Sequence, residues 1–194
     1  MSSSLPAADD SDVRLVAELI RSRRTTNLFE PEPVGAEILL EAIELARWAP
    51  NHRLTEPWKF YVLGPETRVA AIDCWAGYEA EVKGQAAGAA RRKRLNAVPG
   101  HFVLTSARDE DSLIELENYA AVCCAAQNLM LYLWQRSVGV KWTSGAIIRE
   151  PRLYELLGID AEQERIAGYF WYGRPQLVGE QKRRAVEEIC ISLR

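Results

Sequence analysis

The longest apolar segment of the chain limits the folds that it can adopt. Residues Tyr119–Trp134 are 16 consecutive positions in which Gln127 and Asn128 are the only strongly polar side chains. A stretch this short, with amides near its centre, is a poor membrane span, since spanning takes about 20 mostly apolar residues. It predicts instead a central helix that begins at Asp111 or Ser112 and is buried on most of its faces.

Helical and strand patterns alternate along the rest of the chain in the order α-α-β-α-β-α-β-α-β. Helices are predicted after Asp12, over Ile38–Ala46 and over Pro151–Leu157. Aromatic and β-branched residues predict strands at Trp58–Leu63, His101–Thr105, Val138–Thr143 and Ile166–Tyr172. The alternation over Ala185–Leu193 predicts a last strand, which as a terminal edge strand invites pairing with the sheet of a partner chain.

An Ala-rich segment separates the first two predicted strands. From Thr67 to about Leu95 it has helical spacing, broken by Gly77, Gly84 and Gly88. We therefore expect helical pieces in a mobile excursion over residues 70–97. The basic run 91–94 within it is more typical of a solvated helix end than of a nucleic-acid contact.

Composition places the chain among single globular domains. It has 194 residues, of which 48% are apolar and 26% charged, and we expect one domain over residues 13–194 after a loose tail at 1–12. The tail lacks the basic start and apolar stretch of a secretory signal. The four cysteines form no CxxC pair and have apolar neighbours, which favours buried thiols in a reducing, cytoplasmic compartment over disulfides or a zinc site. The net charge of −3 disfavours a nucleic-acid partner.

Several catalytic motifs are missing. The sequence has no GxGxxG after a strand, no GxxxxGK[ST], no GxSxG and no HExxH, and it contains two histidines. A P-loop enzyme, a zinc protease or an α/β-hydrolase is therefore disfavoured. His101 begins an apolar strand, where a structural role is expected, and this leaves His52 as the histidine available for a site.

Three polar segments are candidates for a binding site. Arg21–Thr26 combines three guanidinium groups with hydroxyls, a set that can grip a phosphate, although a solvated helix end is an equally ordinary interpretation. The loop Ala49–Trp58 is pinned by two prolines, and Trp142–Gly145 is a hydroxyl-rich exit from a strand. Each of these is also compatible with a simple connection.

Taken together in order, five short motifs resemble those of the nitroreductase family. They are Arg-Arg-Thr at 23–25, Ala-Pro-Asn-His at 49–52, Glu-Pro-Trp-Lys-Phe at 56–60, Ser-Gly-Ala-Ile at 144–147 and Gly-Arg-Pro-Gln-Leu at 173–177. The resemblance covers the chain from about Val13 onward. The ordered set is far more specific than any one of its members.

The resemblance implies an α+β, nitroreductase-like FMN-binding fold. In this fold a mostly antiparallel sheet is wrapped by helices, and two copies form a homodimer with the central helix and FMN at their interface. The excursion at 70–97 is then expected near the active site, and residues 183–194 are expected to pair with the partner subunit.

The resemblance also implies residue roles. Arg23, Arg24 and Thr25 match the segment that holds the FMN phosphate and ribityl chain, with Thr in place of the usual Ser. Asn27 and Leu28 stand where a basic residue is usual, which leaves Arg24 as the best substitute for a cation near flavin N1 and O2.

The remaining matches come from three other segments. The loop before the first strand contacts the flavin of the partner subunit, and His52 is also expected to contact substrate. A strand end touches the flavin, and a late basic residue reaches the phosphate, although Ala185 replaces the Pro that often follows it. These matches are Trp48, Asn51, His52 and Arg53; Trp142, Thr143 and Ser144; and Arg183 or Arg184.

The activity implied is ping-pong transfer of hydride from NAD(P)H to FMN and then to a nitroaromatic, a quinone or a related small acceptor. The chemistry belongs to flavin N5, so no side chain is expected to act as acid or nucleophile. Two alternatives stay open on the same scaffold. One is a non-catalytic flavin-binding or regulatory protein, which the bulky Trp48 keeps in view, and the other is a flavin-dependent dehydrogenase or dehalogenase.

Overall fold

The computed structural model describes residues 9–193, which form six α-helices and four strands. The helices are α1 (Asp10–Ser22), α2 (Ala36–Ala46), α3 (Pro65–Lys83), α4 (Gln85–Asn96), α5 (Ser112–Gln135) and α6 (Pro151–Leu157). The strands are β1 (Trp58–Val62), β2 (Gly100–Ala107), β3 (Gly139–Thr143) and β4 (Glu164–Gly173). Short 3-10 turns lie at His52–Leu54, Ala146–Arg149 and Val186–Glu188.

The four strands form one antiparallel sheet in the order β1-β2-β4-β3. A bulge interrupts the pairing of β2 with β4, where Leu104 lies opposite Gly168 but Thr105 lies opposite Ile166. β2 and β4 are each flanked by strands on both sides, so together they form the centre of the sheet. The predicted α+β class with an antiparallel sheet is confirmed.

Each face of the sheet carries its own apolar core. On one face α2 and α5 cover Phe102, Phe170 and Trp142, and on the other α3 and α6 cover Val103, Tyr169 and Trp171. The middle of α5 is buried through such residues as Val122, Ala125, Leu129 and Leu133. The sequence prediction of a buried central helix is therefore confirmed for this part of α5.

The excursion between β1 and β2 consists of two long helices. The break between them lies at Gly84, whose φ of 91° is a left-handed conformation that suits glycine. Gly77 and Gly88 lie inside helices, against the expectation that they break them. A Cβ at Gly88 would lie 2.6 Å from the carbonyl oxygen of Ala76, so this glycine permits the close approach of α4 to α3.

Two predictions about the chain ends need correction. Residues 10–12 belong to α1, because the Asp9 side chain caps the helix by accepting a hydrogen bond from the Ser11 N–H. Residues 1–8 of the predicted tail, and Arg194, lie outside the described residues. The last predicted strand, Ala185–Leu193, is instead an exposed segment with one 3-10 turn, since no strand within residues 9–193 pairs with it.

The cysteine prediction is partly wrong. All four cysteines are free, but Cys124 and Cys190 are exposed, whereas Cys74 and Cys123 are half-buried. Cys124 and Cys190 have apolar neighbours in the sequence, but their side chains are not buried in the fold. Within residues 9–193 no helix is both long enough and apolar enough to cross a membrane.

Candidate functional site

The segment after α1 lies against the beginning of β3. Thr25 forms a parallel bridge with Val140, and the Thr26 N–H donates to the Val140 carbonyl at 3.1 Å. Thr26 is buried, and a Cβ at Gly139 would lie 2.0 Å from its Oγ1, so only glycine permits this approach. The sheet therefore fixes the backbone of the Arg-Arg-Thr segment.

Three arginines, Arg23, Arg24 and Arg183, lie near enough for two of them to act electrostatically on the third. Burial, and then the positive charges of Arg24 and Arg183, lower the pKa of the Arg23 guanidinium. Among the described residues none of the three forms an ion pair with a carboxylate. Converging guanidinium groups without a counter-charge are electrostatically unfavourable, and an anion bound among them would relieve this. The C-terminal segment that carries Arg183 therefore lies beside the Arg-Arg-Thr segment, and their common role at a phosphate stays a prediction.

Arg24 has a structural task in addition to its charge. Its Nε donates to the Gly179 carbonyl at 3.0 Å, and its Nη1 donates to the Arg21 carbonyl at 2.5 Å. These bonds tie the end of α1 to the C-terminal segment that carries Arg183 and Arg184. Two of its three nitrogens are thereby used on backbone, which disfavours Arg24 as the cation that faces the ring of a flavin.

The far end of β3 offers mainly backbone. The Trp142 ring stacks on Phe170 at 5.2 Å between centroids, and its Nε1 donates to the Ala167 carbonyl at 3.1 Å. The Thr143 hydroxyl donates to the Tyr169 carbonyl at 2.5 Å. Both predicted contact residues therefore direct their side chains to the sheet itself, and a ligand here would meet their backbone and the exposed Ser144.

Ser144 opens onto a cavity of about 450 Å³ that the sequence analysis missed. Its lining includes Arg108, Arg149 and Arg165, with Arg165 stacked 4.5 Å from the ring of Tyr119. Glu115 lies 3.6 Å from Arg165 and 3.9 Å from Arg108. These arginines come from the ends of different elements, so no short motif could have pointed to them.

The loop between α2 and β1 has an unusual backbone. Arg53, Leu54 and Glu56 have φ values of 64°, 51° and 46°, in the left-handed region that costs such residues roughly 1–2 kcal/mol each. Asn51 holds this conformation, because its Oδ1 accepts from the Glu56 N–H at 2.6 Å and its Nδ2 donates to the Thr55 Oγ1 at 3.1 Å. Thr55 in turn donates to the Asn118 Oδ1 on α5 at 2.8 Å.

This loop directs apolar and aromatic side chains outward. Trp48 is 73% exposed and Leu54 is 83% exposed. His52 is also exposed, whereas Asn51 uses its amide group on the loop itself. Within residues 9–193 the surface of the loop is thus uncovered, and its contact with a neighbouring subunit stays a prediction.

The other histidine has a structural environment. His101 is buried, and its Nδ1 lies 2.9 Å from the Tyr169 hydroxyl. Burial, helped by the charge of Arg68, lowers the pKa of His101 to about 4, so the ring is neutral at physiological pH. Within residues 9–193 no group of three or more His, Cys, Asp or Glu side chains is arranged to hold a metal ion.

Comparisons with known proteins agree with this arrangement. The model of the family described as "Nitroreductase family" matches residues 20–174. The Bacillus subtilis protein named "Putative NAD(P)H nitroreductase YfhC" is 32% identical to this chain over 88% of this chain and 89% of the relative. A nitroreductase-like family protein from Bacillus cereus is 26% identical with a TM-score of 0.81, and the match covers 98% of this chain and 99% of that protein.

A further solved structure shows the same fold at lower identity. It is the FMN-dependent nitroreductase NfnB of Mycobacterium smegmatis in complex with NADPH, which is 15% identical with a TM-score of 0.78. The match covers 94% of this chain and 99% of that one.

Proposed function

Because the chain belongs to the nitroreductase family, we propose that it is an FMN-dependent oxidoreductase that takes hydride from NAD(P)H and reduces a small acceptor such as a nitroaromatic or a quinone. The relatives support this cofactor and this reductant. The Mycobacterium smegmatis protein is described as FMN-dependent and carries NADPH, and the Bacillus subtilis relative is named an NAD(P)H nitroreductase.

The observation that carries the proposal is the hydrogen bond from Arg24 Nε to the Gly179 carbonyl at 3.0 Å, which holds the C-terminal segment that carries Arg183 against the Arg-Arg-Thr segment. The positive charges of Arg24 and Arg183 act on the Arg23 guanidinium, and within residues 9–193 none of the three arginines forms an ion pair with a carboxylate. Arginine is well suited to a dianionic phosphate, because its planar fork donates two parallel hydrogen bonds. The residues present therefore fit the phosphate of FMN, and Thr25 adds a hydroxyl beside them.

β3 connects the phosphate end to the predicted ring end. Val140 pairs with Thr25, and Ser144 lies four residues further, about 13 Å along an extended chain. The Arg-Arg-Thr segment and the Trp142–Ser144 segment thus share one edge of the sheet. Bound FMN would supply the hydride chemistry at its N5 atom, while these residues anchor and orient it.

A second copy of the chain fits the uncovered apolar surface. Val13, Val16 and Ile20 on α1 are more than half exposed, as are Leu113 and Leu116 at the start of α5. Exposed apolar side chains on two helices are available for burial in an interface. We therefore expect a homodimer in which α1, α5 and residues 183–193 are covered, and in which His52 and Trp48 of each subunit complete the site of the other.

The absorption spectrum of the purified protein tests the proposed function. We expect flavin bands near roughly 370 and 450 nm that bleach on anaerobic addition of NADH or NADPH, and recover on addition of menadione or nitrofurazone. Bands that persist with both nicotinamides would indicate a flavin carrier instead. A protein that stays colourless after incubation with FMN would contradict the proposal.

Arg23→Ala tests the phosphate site directly. Loss of a charge-assisted hydrogen bond costs about 1.5–3 kcal/mol, so the dissociation constant for FMN should rise roughly 10- to 150-fold. Arg14→Ala is the matched control, because it removes the same charge from α1 at an exposed position away from the cluster. Equal FMN affinity in the two variants would refute the assigned role of Arg23.

A further inference from the structure

Two cations from distant parts of the chain meet at Asn27. The Lys141 Nζ donates to the Asn27 Oδ1 at 2.8 Å, and the Arg94 Nη2 donates to the same oxygen at 3.2 Å. Both cations lie over the buried Trp171 ring, at 4.7 Å for Lys141 Nζ and 5.2 Å for Arg94 Cζ from its centroid. Asn27, a neutral residue, thus holds two positive charges in one place.

These charges have no counter-ion within residues 9–193. Neither Lys141 nor Arg94 forms an ion pair there, whereas the neighbouring Arg91 is paired with Glu79 at 2.7 Å. Burial, and then the charges of Arg94 and Arg91, lower the pKa of Lys141. Two partly buried cations side by side repel each other, which raises the free energy of the folded state. A negative group beside them would offset this repulsion.

The position of this pair connects it to the proposed cofactor site. Asn27 comes two residues after Thr25, which bridges Val140, and Lys141 directly follows Val140 on β3. A pocket of about 390 Å³ opens here, lined among others by Asn27 and Arg94. Lys141 therefore lies on, and Arg94 beside, the strand that leads from the proposed phosphate end to Ser144.

Asn27 stands at a position of the Arg-Arg-Thr segment that distinguishes this chain from the family pattern. In the resemblance described above, this part of the Arg-Arg-Thr segment is where a basic residue is usual, and here it carries an amide. The structure brings Lys141 to that amide from a position 114 residues away. The charge missing from the motif is thus restored in space by a lysine of the neighbouring strand.

We propose that Lys141, steadied by Asn27 and backed by Arg94, is the residue that places a positive charge at the pyrimidine edge of bound FMN. This inference rests on the proposed function. Hydride transfer moves two electrons and one proton from the nicotinamide, which is oxidised, to the flavin, which is left with one negative charge at N1 and O2. A cation at that edge stabilises the charge and so raises the reduction potential of the bound flavin.

The reduction potential of the FMN-loaded protein tests the role of Lys141. In Lys141→Met we expect reduced flavin to bind at least tenfold less tightly relative to oxidised flavin, which is about 30 mV of midpoint potential for a two-electron couple. Lys83→Met is the control, since it removes one lysine charge from an exposed position at the end of α3. Its potential should equal that of the unaltered protein.

A charge relocation sharpens the test. The double variant Asn27→Lys with Lys141→Met returns the cation to the motif position and should recover most of the lost potential. If Lys141→Met does not fold, the pair Lys141→Arg and Lys141→Gln decides the matter in the same measurement, with the potential kept in the first and lowered in the second.

The outcomes separate this inference from the proposed function. A flavin that binds and bleaches normally, with an equal potential in Lys141→Met and Lys83→Met, would overturn the role of Lys141 and leave the oxidoreductase intact. An unaltered protein that binds no FMN would overturn both. A lowered potential that the double variant does not recover would show that the charge is not exchangeable between the two positions, against the proposal.

Discussion

β4 and α1 lie at opposite extremes of burial in this chain. Every residue of β4 except the half-buried Arg165 is buried, with strands on both sides and a core on each face. α1 has no buried residue, and its contact with the rest of the chain includes one hydrogen bond from the Trp134 Nε1 to Ser22. Both elements were recognisable from apolar patterning. The pattern therefore predicts that a face will be covered without saying whether this chain or another covers it.

The largest effect is expected at the centre of the sheet. The Phe170 ring is fully buried and stacks between two other rings. Its centroid lies 4.6 Å from that of Phe102 and 5.2 Å from that of Trp142. Phe170→Ala should lower the free energy of unfolding by about 3–5 kcal/mol in a urea titration, because it leaves a cavity that close packing cannot fill. Leu40→Ala, at an exposed position of α2, should change it by less than about 0.5 kcal/mol. Similar losses in both would show that β4 is not the rigid part of the molecule.

Acid should weaken the same region next. The pKa of His101 is about 4 in the folded protein against 6.5 for a free histidine, so between these values the unfolded chain binds more protons. The stability that neutral His101 contributes is complete above pH 6.5 and declines as the pH falls towards 4, by about 1.4 kcal/mol per pH unit. The unfolding free energy of unaltered protein should fall by roughly 3 kcal/mol over this interval.

His101→Gln provides the comparison for this pH effect. The amide does not titrate, so the variant should start less stable at pH 7 and lose about 3 kcal/mol less on acidification to pH 4. Parallel pH curves for the two proteins would mean that His101 is solvated and titrates normally.

The exposed α1 should respond in assembly rather than in folding. Ile20 is 54% exposed and lies on the apolar side of α1. If a second subunit covers it, Ile20→Asp forfeits about 1.5–3 kcal/mol of burial per chain, and sedimentation should show a dimer dissociation constant raised at least tenfold. Arg14→Asp, which puts the same carboxylate on another side of α1, should leave assembly unchanged. A monomer at all concentrations of the unaltered protein would remove the contrast between α1 and β4.

The smallest effect is expected in the strained loop. Leu54 has a φ of 51°, which glycine adopts without penalty, so Leu54→Gly should raise stability by up to about 1 kcal/mol, or some 2–4 °C in melting temperature. Leu45→Gly, in the regular helix α2, should lower stability by about 1 kcal/mol. Melting temperatures that fall equally in both variants would mean that the loop relaxes out of the left-handed region in solution.

Local sequence patterns predicted the four strands of the sheet well but predicted the C-terminal segment wrongly. Aromatic and β-branched residues located β1 to β4 to within a few residues, because such side chains fit a pleated surface whatever its neighbours are. The same alternation at Ile189, Ile191 and Leu193 gave no strand, since a strand also needs a partner that this chain does not provide. Gly88 was read as a helix breaker, whereas its missing side chain serves the packing of α4 on α3.

The sequence suggested candidate site residues only where they lie close together along the chain. The Arg-Arg-Thr motif pointed to Arg23, and the structure brings Arg183 to it. The motif match at Trp142 and Thr143 could not tell which way their side chains point, and both face the sheet. Lys141 and Arg94 meet Asn27 across 114 and 67 residues, a distance over which no periodicity or short spacing can report.

Arg24 joins two parts of the molecule that the sequence keeps far apart. Its bond to the Gly179 carbonyl fastens the C-terminal segment to the end of α1, next to the place where Arg183 approaches Arg23. If that segment detached, Arg183 would move away from Arg23, and Arg24 would at the same time lose its hydrogen bond to the Gly179 carbonyl. Binding of the FMN phosphate and attachment of the C-terminal segment are thus coupled. Bound FMN would therefore slow tryptic cleavage at Lys182 and Arg183 in proportion to its occupancy.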